Sequence, residues 1–209
     1  MKAIVYHNYG SPDVLQIAEI KQPAPGDNEV FIKVRAASVN PFDWHFMRGT
    51  PYVLRLFAGL RKPKVIRLGA DVAGEIEAVG KNVTKFKPGD AVFGSCVGAF
   101  AEYVCAKESA LVIKPGNMTF EQAASVPIAA LTALQGLRNN GHIKSGQHVL
   151  VNGASGGVGT FAVQIARSFG AEVTAVCSTK NVEMSRSIGA GQVIDYTRQD
   201  FTKSGNFTT

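Results

Sequence analysis

Two patterns of apolar spacing succeed one another along the chain. Through roughly the first 115 residues apolar and polar positions alternate in short runs, the mark of strands with one face buried. These runs predict strands at 2–7, 15–20, 29–38, 74–79, 91–93, 101–106 and 110–113. Turn residues punctuate them: Pro23, Pro25 and Gly26; Asn40 and Pro41; Gly80 to Asn82; Pro88, Gly89 and Asp90; Pro115 and Gly116. A compact, barrel-like β domain over residues 1–118 is the expectation.

Beyond it the period changes. Thr119 with Gln122 three residues on is a capping-box start, and residues 123–137 are rich in alanine and leucine, with Pro127 interrupting them. Two short helices, or one kinked helix, are predicted. From Gly146 strand and helix alternate, at 149–152, 158–169, 173–177, 182–188 and 193–196, the order that builds a parallel, doubly wound sheet. Residues 119–209 therefore read as linker helices and the first half of a doubly wound sheet, three strands where a full one has about six. The fold class is α/β with a β-rich N-terminal domain, and a C-terminally incomplete chain is expected.

The turn between 149–152 and 158–169 carries the first chemistry. It holds Gly153, Gly156, Gly157 and Gly159 in GASGGVG, a GxxGxxG run rather than GxGxxG. A helix opening on glycines offers unpaired amides and the positive end of its dipole, with no side chains to keep a phosphate away. The strand before, the helix after and the second strand at βαβ distance separate this turn from an ordinary glycine turn. Gly153, Ser155, Gly156, Gly157 and Val158 are the candidate pyrophosphate-binding residues.

Composition changes this picture little. With 209 residues, 45% hydrophobic and 18% charged, the sequence is that of an ordinary globular protein. No stretch approaches the ~20 apolar residues of a membrane span and the start lacks a signal-peptide pattern, so no membrane partner and a cytoplasmic location are expected. Cys96, Cys105 and Cys177 are scattered and form no CxxC pair, which indicates neither a disulfide framework nor a structural zinc site. The net charge of +6 concentrates in residues 55–67, RLFAGLRKPKVIR. That run has Pro63 in its middle and lacks an interleaved aromatic platform, so nucleic acid is not the expected partner, and its basic residues also suit a protein that draws in a polyanionic cofactor.

Several blocks in order, ASVNPFDWHFMRG, LGADVAGEIEAVG, FKPGDAVFG, GAFAEYV and GASGGVG, make the whole chain resemble the medium-chain dehydrogenase/reductase superfamily. Within it the sequence looks like the zinc-free quinone oxidoreductase branch. The resemblance implies a chaperonin-10-like catalytic domain beside a Rossmann domain, an active site in the cleft between them, and a homodimer for a full-length form.

Residue by residue, the resemblance argues against zinc. Zinc alcohol dehydrogenases of the superfamily place a cysteine at Asn40, a histidine at Ala70 and a cysteine near Ile128; none of the three residues here is a thiolate or an imidazole. Asp71 stands where those enzymes have glutamate, and one carboxylate does not hold zinc. The closely spaced cysteines of their structural lobe are missing between Ser95 and Cys105. No metal is expected.

Without a Lewis acid, hydride delivery to an electron-poor quinone or enone is favoured over alcohol oxidation. Asn40, Asp43 and Tyr52 match positions lining the substrate and nicotinamide cleft in zinc-free relatives; turn, cap and surface roles stand as their structural alternatives. His45 matches a proton-relay histidine of the zinc enzymes and is read here as a packing or surface residue. After the strand at 173–177 the chain reads Cys177, Ser178, Thr179, Lys180, with no carboxylate before Glu183 to take ribose hydroxyls. Ser178 and Lys180 offer donors to a 2′-phosphate, Tyr196 matches a phosphate-contacting tyrosine of the family, and Thr132 matches a position near the nicotinamide ribose. NADPH is the expected cofactor and a small-molecule quinone or enone the expected partner. A non-catalytic nucleotide-binding or interaction module, and an alcohol dehydrogenase, are the alternatives.

Overall fold

The computed structural model describes residues 1–203, which form two compact units, Met1–Ile128 and Ala129 onward. The first unit contains β1 (Lys2–Val5), β2 (Gln16–Glu19), β3 (Glu29–Ser38), α1 (Pro41–Arg48), α2 (Arg55–Ala58) and β4 (Asp71–Val79). It continues with β5 (Ala91–Ser95), β6 (Tyr103–Lys107), β7 (Leu111–Ile113) and α3 (Phe120–Ala124). Strands β6, β3, β4, β5 and β7 lie side by side in that order, every pair antiparallel. Strands β1 and β2 form a separate hairpin, joined to the rest by isolated bridges at Ala3–Ala101 and Val5–Arg67.

Alternation fixes which side of the five-stranded sheet is the core. Val30, Ile32, Val72, Ile76, Val92 and Val104 point inward and are almost fully buried. Strand β4 begins three residues earlier than its alternation predicts. Its first four residues are all buried, because α3 covers the opposite face through Ala123 and Ala124 against Ala73. A strand buried on both faces loses the alternation by which sequence reveals it. The same packing places α3 in the first unit.

The second unit contains β8 (His148–Asn152), α5 (Gly157–Ser168), β9 (Glu172–Cys177), α6 (Val182–Ser187) and β10 (Gln192–Asp195). The helix α4 (Pro127–Leu134) spans the boundary and continues as a single π-helical stretch over Gln135–Asn140. Pro127 opens α4 rather than kinking a longer helix, since a proline at the first helical position loses no hydrogen bond. The sheet order is β10-β9-β8, all parallel, and α5 buries Val163 and Ala166 against Val151, Val173 and Ala175. This is the first half of a doubly wound sheet. No helix of the described residues is long and apolar enough to cross a membrane.

Candidate functional site

In the first unit the candidate residues gather where β3 gives way to α1. The helix was unforeseen, although its signals are local: Pro41 at the first position and Gly49 ending it in the left-handed conformation (φ 61). Asp43, in the first turn, uses both carboxylate oxygens on backbone. Its Oδ2 accepts the Asn40 N–H at 2.8 Å and its Oδ1 accepts the Gly69 N–H at 2.9 Å, which ties the helix start to the segment entering β4. That geometry matches the cap reading of Asp43.

Asn40 is itself fixed. Its Nδ2 donates to Ser38 Oγ and to Asp71 Oδ2, both at 3.0 Å, and Ser38 Oγ donates to the same Asp71 oxygen at 2.9 Å. The Ile128 N–H near the start of α4 lies 3.2 and 3.3 Å from the two Asp71 oxygens. Asp71 is fully buried. Burial pushes its carboxyl above the ordinary carboxylate value; the Ser38, Asn40 and Ile128 donors pull the other way, and the neighbouring Asp43 charge adds to the rise. Asp71 was weighed in the sequence only as a metal ligand; its role as the acceptor joining β3, the α1 cap and α4 required three dimensions. Asn40, Ala70 and Ile128, compared with zinc ligands in the sequence, carry here an amide, a methyl and a backbone N–H. Among the described residues no group of three or more His, Cys, Asp or Glu side chains could hold a metal ion.

A pocket of about 200 Å³ opens beside this network, lined by Tyr6, Phe42, Asp43, Arg67, Ala70 and Cys96 among others. Burial pushes the Cys96 thiol up to about 12, so it stays a neutral apolar surface. Tyr52 lies elsewhere: it is largely exposed, with the Arg55 guanidinium 4.8 Å above its ring. His45 stacks on Trp44 at 3.8 Å and its Nδ1 is 2.7 Å from the Thr50 carbonyl oxygen, a packed position.

In the second unit the glycines of the β8–α5 turn do different jobs. Gly153 takes a left-handed conformation (φ 73). At Gly159 a Cβ would fall 2.1 Å from the Gly153 carbonyl oxygen, so a glycine there lets α5 close onto its own turn. Gly157 is different, because a Cβ there meets nothing within 4 Å. Internal packing does not require that glycine, and the space it leaves lies at the first turn of α5. The N-cap is Gly156, which has no side chain to satisfy the first-turn amides. Ser155 is half-buried and Val158 exposed beside this opening. The arrangement fits a phosphate group.

Register brings the other candidates to one end of the sheet. Asp195 pairs with Cys177, so Ser178 and Tyr196 follow at neighbouring strand ends, and the Tyr196 N–H donates to the Cys177 carbonyl at 3.1 Å. Ser178 Oγ accepts from Asn181 Nδ2 at 3.2 Å, and Lys180 is exposed. Tyr196 borders an open pocket of about 550 Å³ with Asn152 and Arg198. Thr132 is exposed on α4. A carboxylate that linear reading placed no nearer than Glu183 does reach the loop: Asp195 arrives from the adjacent strand. Its oxygens are already engaged by the Thr179 hydroxyl and by the Thr197 hydroxyl and N–H, which hold it below the ordinary carboxylate value.

Comparison with known proteins agrees with both halves. Residues 26–116 match the alcohol dehydrogenase GroES-like domain, and residues 157–205 match the family described as zinc-binding dehydrogenase. A GroES-like unit followed by a Rossmann-like unit defines a medium-chain dehydrogenase/reductase, and the chain belongs to that superfamily, in its quinone oxidoreductase-like branch. It is 39% identical over 206 residues to a chloroplastic quinone-oxidoreductase homolog of Spinacia oleracea, covering 94% of this chain and 61% of that protein. Among solved structures, the quinone oxidoreductase from Coxiella burnetii superposes with a TM-score of 0.88 at 36% identity, covering 99% of this chain and 65% of that one. The Escherichia coli quinone oxidoreductase complexed with NADPH gives a TM-score of 0.85 at 29% identity, covering 98% and 61%. The chain thus spans about 61% of the length of the spinach relative.

Proposed function

We propose that this chain provides the catalytic unit and part of the cofactor site of a zinc-independent, NADPH-dependent reductase that delivers hydride to a quinone or other α,β-unsaturated carbonyl. The observation that carries the reading is the opening at Gly157, a helix start kept free of side chains that no internal contact requires. Gly153, Ser155, Gly156, Gly157 and Val158 would hold the pyrophosphate by backbone amides. Ser178, Lys180 and Tyr196 would take the 2′-phosphate, and Thr132 the nicotinamide ribose. When bound, the dinucleotide supplies the hydride.

The first unit's residues orient the acceptor and meet the charge that develops on its oxygen. Both Nδ2 hydrogens of Asn40 are committed to Ser38 Oγ and Asp71 Oδ2, so its part is to hold the shape of the site rather than to donate to that oxygen. Asp43 spends both oxygens on backbone, so its part is to hold the loop that carries Asn40 rather than to move a proton. Tyr52, exposed and with Arg55 over its ring, carries the hydroxyl proposed to meet the acceptor oxygen. Zinc independence is supported by the side chains at Asn40, Ala70 and Ile128, which offer no thiolate or imidazole. NADPH preference is supported by the engagement of Asp195, whose oxygens must leave Thr179 and Thr197 before they can accept ribose hydroxyls.

Titration of cofactor fluorescence with NADPH and NADH in parallel tests the reading, followed by quinone- and enone-dependent NADPH consumption. NADPH-selective binding is expected. A folded chain that binds neither nucleotide overturns the cofactor assignment.

A further inference from the structure

Between Asp43 and Asp71 the chain has no acidic residue, and there the first unit leaves large apolar side chains in solvent. Val53, Leu56, Phe57 and Leu60 are 57%, 62%, 77% and 69% exposed. Val53, Leu56 and Phe57, spaced by three and four residues across the turn at 52–54 and α2, share one side of a helical segment, and Leu60 follows two residues after α2 ends.

This segment is held firmly. The Arg55 Nε donates to the Gly49 carbonyl at 2.9 Å, and its guanidinium lies 4.5 Å over the Tyr9 ring. Tyr9 Oη donates to the Gly59 carbonyl at 2.7 Å, and the Lys64 N–H closes back on the Ala58 carbonyl at 2.7 Å. The loop so formed carries Arg61, Lys62 and Lys64, all exposed, around a buried Pro63. None of these three cations forms an ion pair among the described residues. Bonds are thus spent on fixing a loop whose apolar side chains contribute little to the core.

We propose that residues 53–64 are a contact for an anionic phospholipid surface. Val53, Leu56, Phe57 and Leu60 enter the headgroup boundary, and Arg61, Lys62 and Lys64 meet the lipid phosphates. The charge selects the occupant. A second copy docking by the same face would bring two sets of cations together. A nucleic acid would engage the cations but gain nothing from aliphatic Leu56 and Leu60, which are poor stacking platforms. The sequence-based expectation of no membrane partner rested on the lack of a span, and a surface contact needs none.

The test is co-sedimentation of the full chain with vesicles of phosphatidylcholine alone and of phosphatidylcholine with about one third phosphatidylglycerol, across salt concentrations. Binding to the anionic vesicles at low salt is expected, weakening as salt rises, with about tenfold less on phosphatidylcholine alone. Leu56→Ser with Phe57→Ser, and separately Lys62→Glu with Lys64→Glu, should each lower partitioning about tenfold while leaving the circular dichroism spectrum unchanged. The proposal is overturned if the folded wild-type chain ignores anionic vesicles. It is equally overturned if the serine variant binds them like wild type, since the attraction is then coulombic alone. Self-association abolished by the serine variant, without vesicle binding, would assign the face to a second copy. RNA binding indifferent to Leu56 and Phe57, again without vesicle binding, would assign it to a polyanion.

Discussion

The paired substitutions Gly157→Ala and Gly159→Ala separate the two reasons for a glycine in one turn. At Gly159 the added methyl would sit 2.1 Å from the Gly153 carbonyl oxygen and 2.8 Å from the Ala154 Cα, both backbone atoms. Relief requires α5 to lift off its turn or the turn to open, an overpacking cost of about 1–3 kcal/mol. At Gly157 the methyl meets nothing within 4 Å and the backbone carries no left-handed strain. Alanine there is expected to stabilise the fold by about 0.4–1 kcal/mol, because it restricts the unfolded chain. The same methyl stands in the opening assigned to the pyrophosphate and displaces it from the first-turn amides. Loss of one charge-assisted hydrogen bond, about 1.5–3 kcal/mol, weakens NADPH binding roughly 10- to 100-fold. Denaturant unfolding followed by circular dichroism and NADPH fluorescence titration on both variants gives the two readouts. Gly157→Ala should be more stable yet bind poorly, and Gly159→Ala should lose stability and binding together. Undiminished NADPH affinity in a folded Gly157→Ala chain refutes the placement of the pyrophosphate, and with it the roles of Gly153, Ser155, Gly156, Gly157 and Val158.

Three further outcomes are expected. Because burial raises the Asp71 carboxyl, the folded chain holds that proton more tightly than the unfolded one. The stability this gives is complete below the ordinary value of 3.8 and fades as pH rises through the raised folded value. Asp71→Asn should therefore gain on wild type in unfolding free energy as pH rises from about 4 to 7, and a difference constant with pH would contradict the buried, titrating carboxylate. Lys180→Ala should raise the dissociation constant for NADPH about tenfold while leaving NADH unchanged, and equal losses for both would remove Lys180 from the 2′-phosphate site. Ile76→Ala, at the centre of the β core, should cost about 2–5 kcal/mol in denaturant unfolding; a loss under about 1 kcal/mol would mean the site collapses around the gap.

Local pattern made much of this protein legible. Strand β3 falls at the residues its alternation marks, the βαβ turn is written in Gly153 to Gly159, and Thr119 with Gln122 announces α3 through a capping box that the structure forms. Each of these features depends on interactions within a few residues, or on the simple rule that one face of an element is buried. What tertiary structure alone decided has a common cause: contacts between residues far apart in the chain. The start of β4 was hidden because α3, more than forty residues later, buries its second face. Asp71 became the acceptor for Ser38, Asn40 and Ile128 only when three distant segments met. Asp195 entered the loop after β9 from a neighbouring strand, and Gly157 differs from Gly159 in the space the folded turn leaves around each. Sequence carries periodicity and local hydrogen bonding; which buried group finds which partner is fixed by packing.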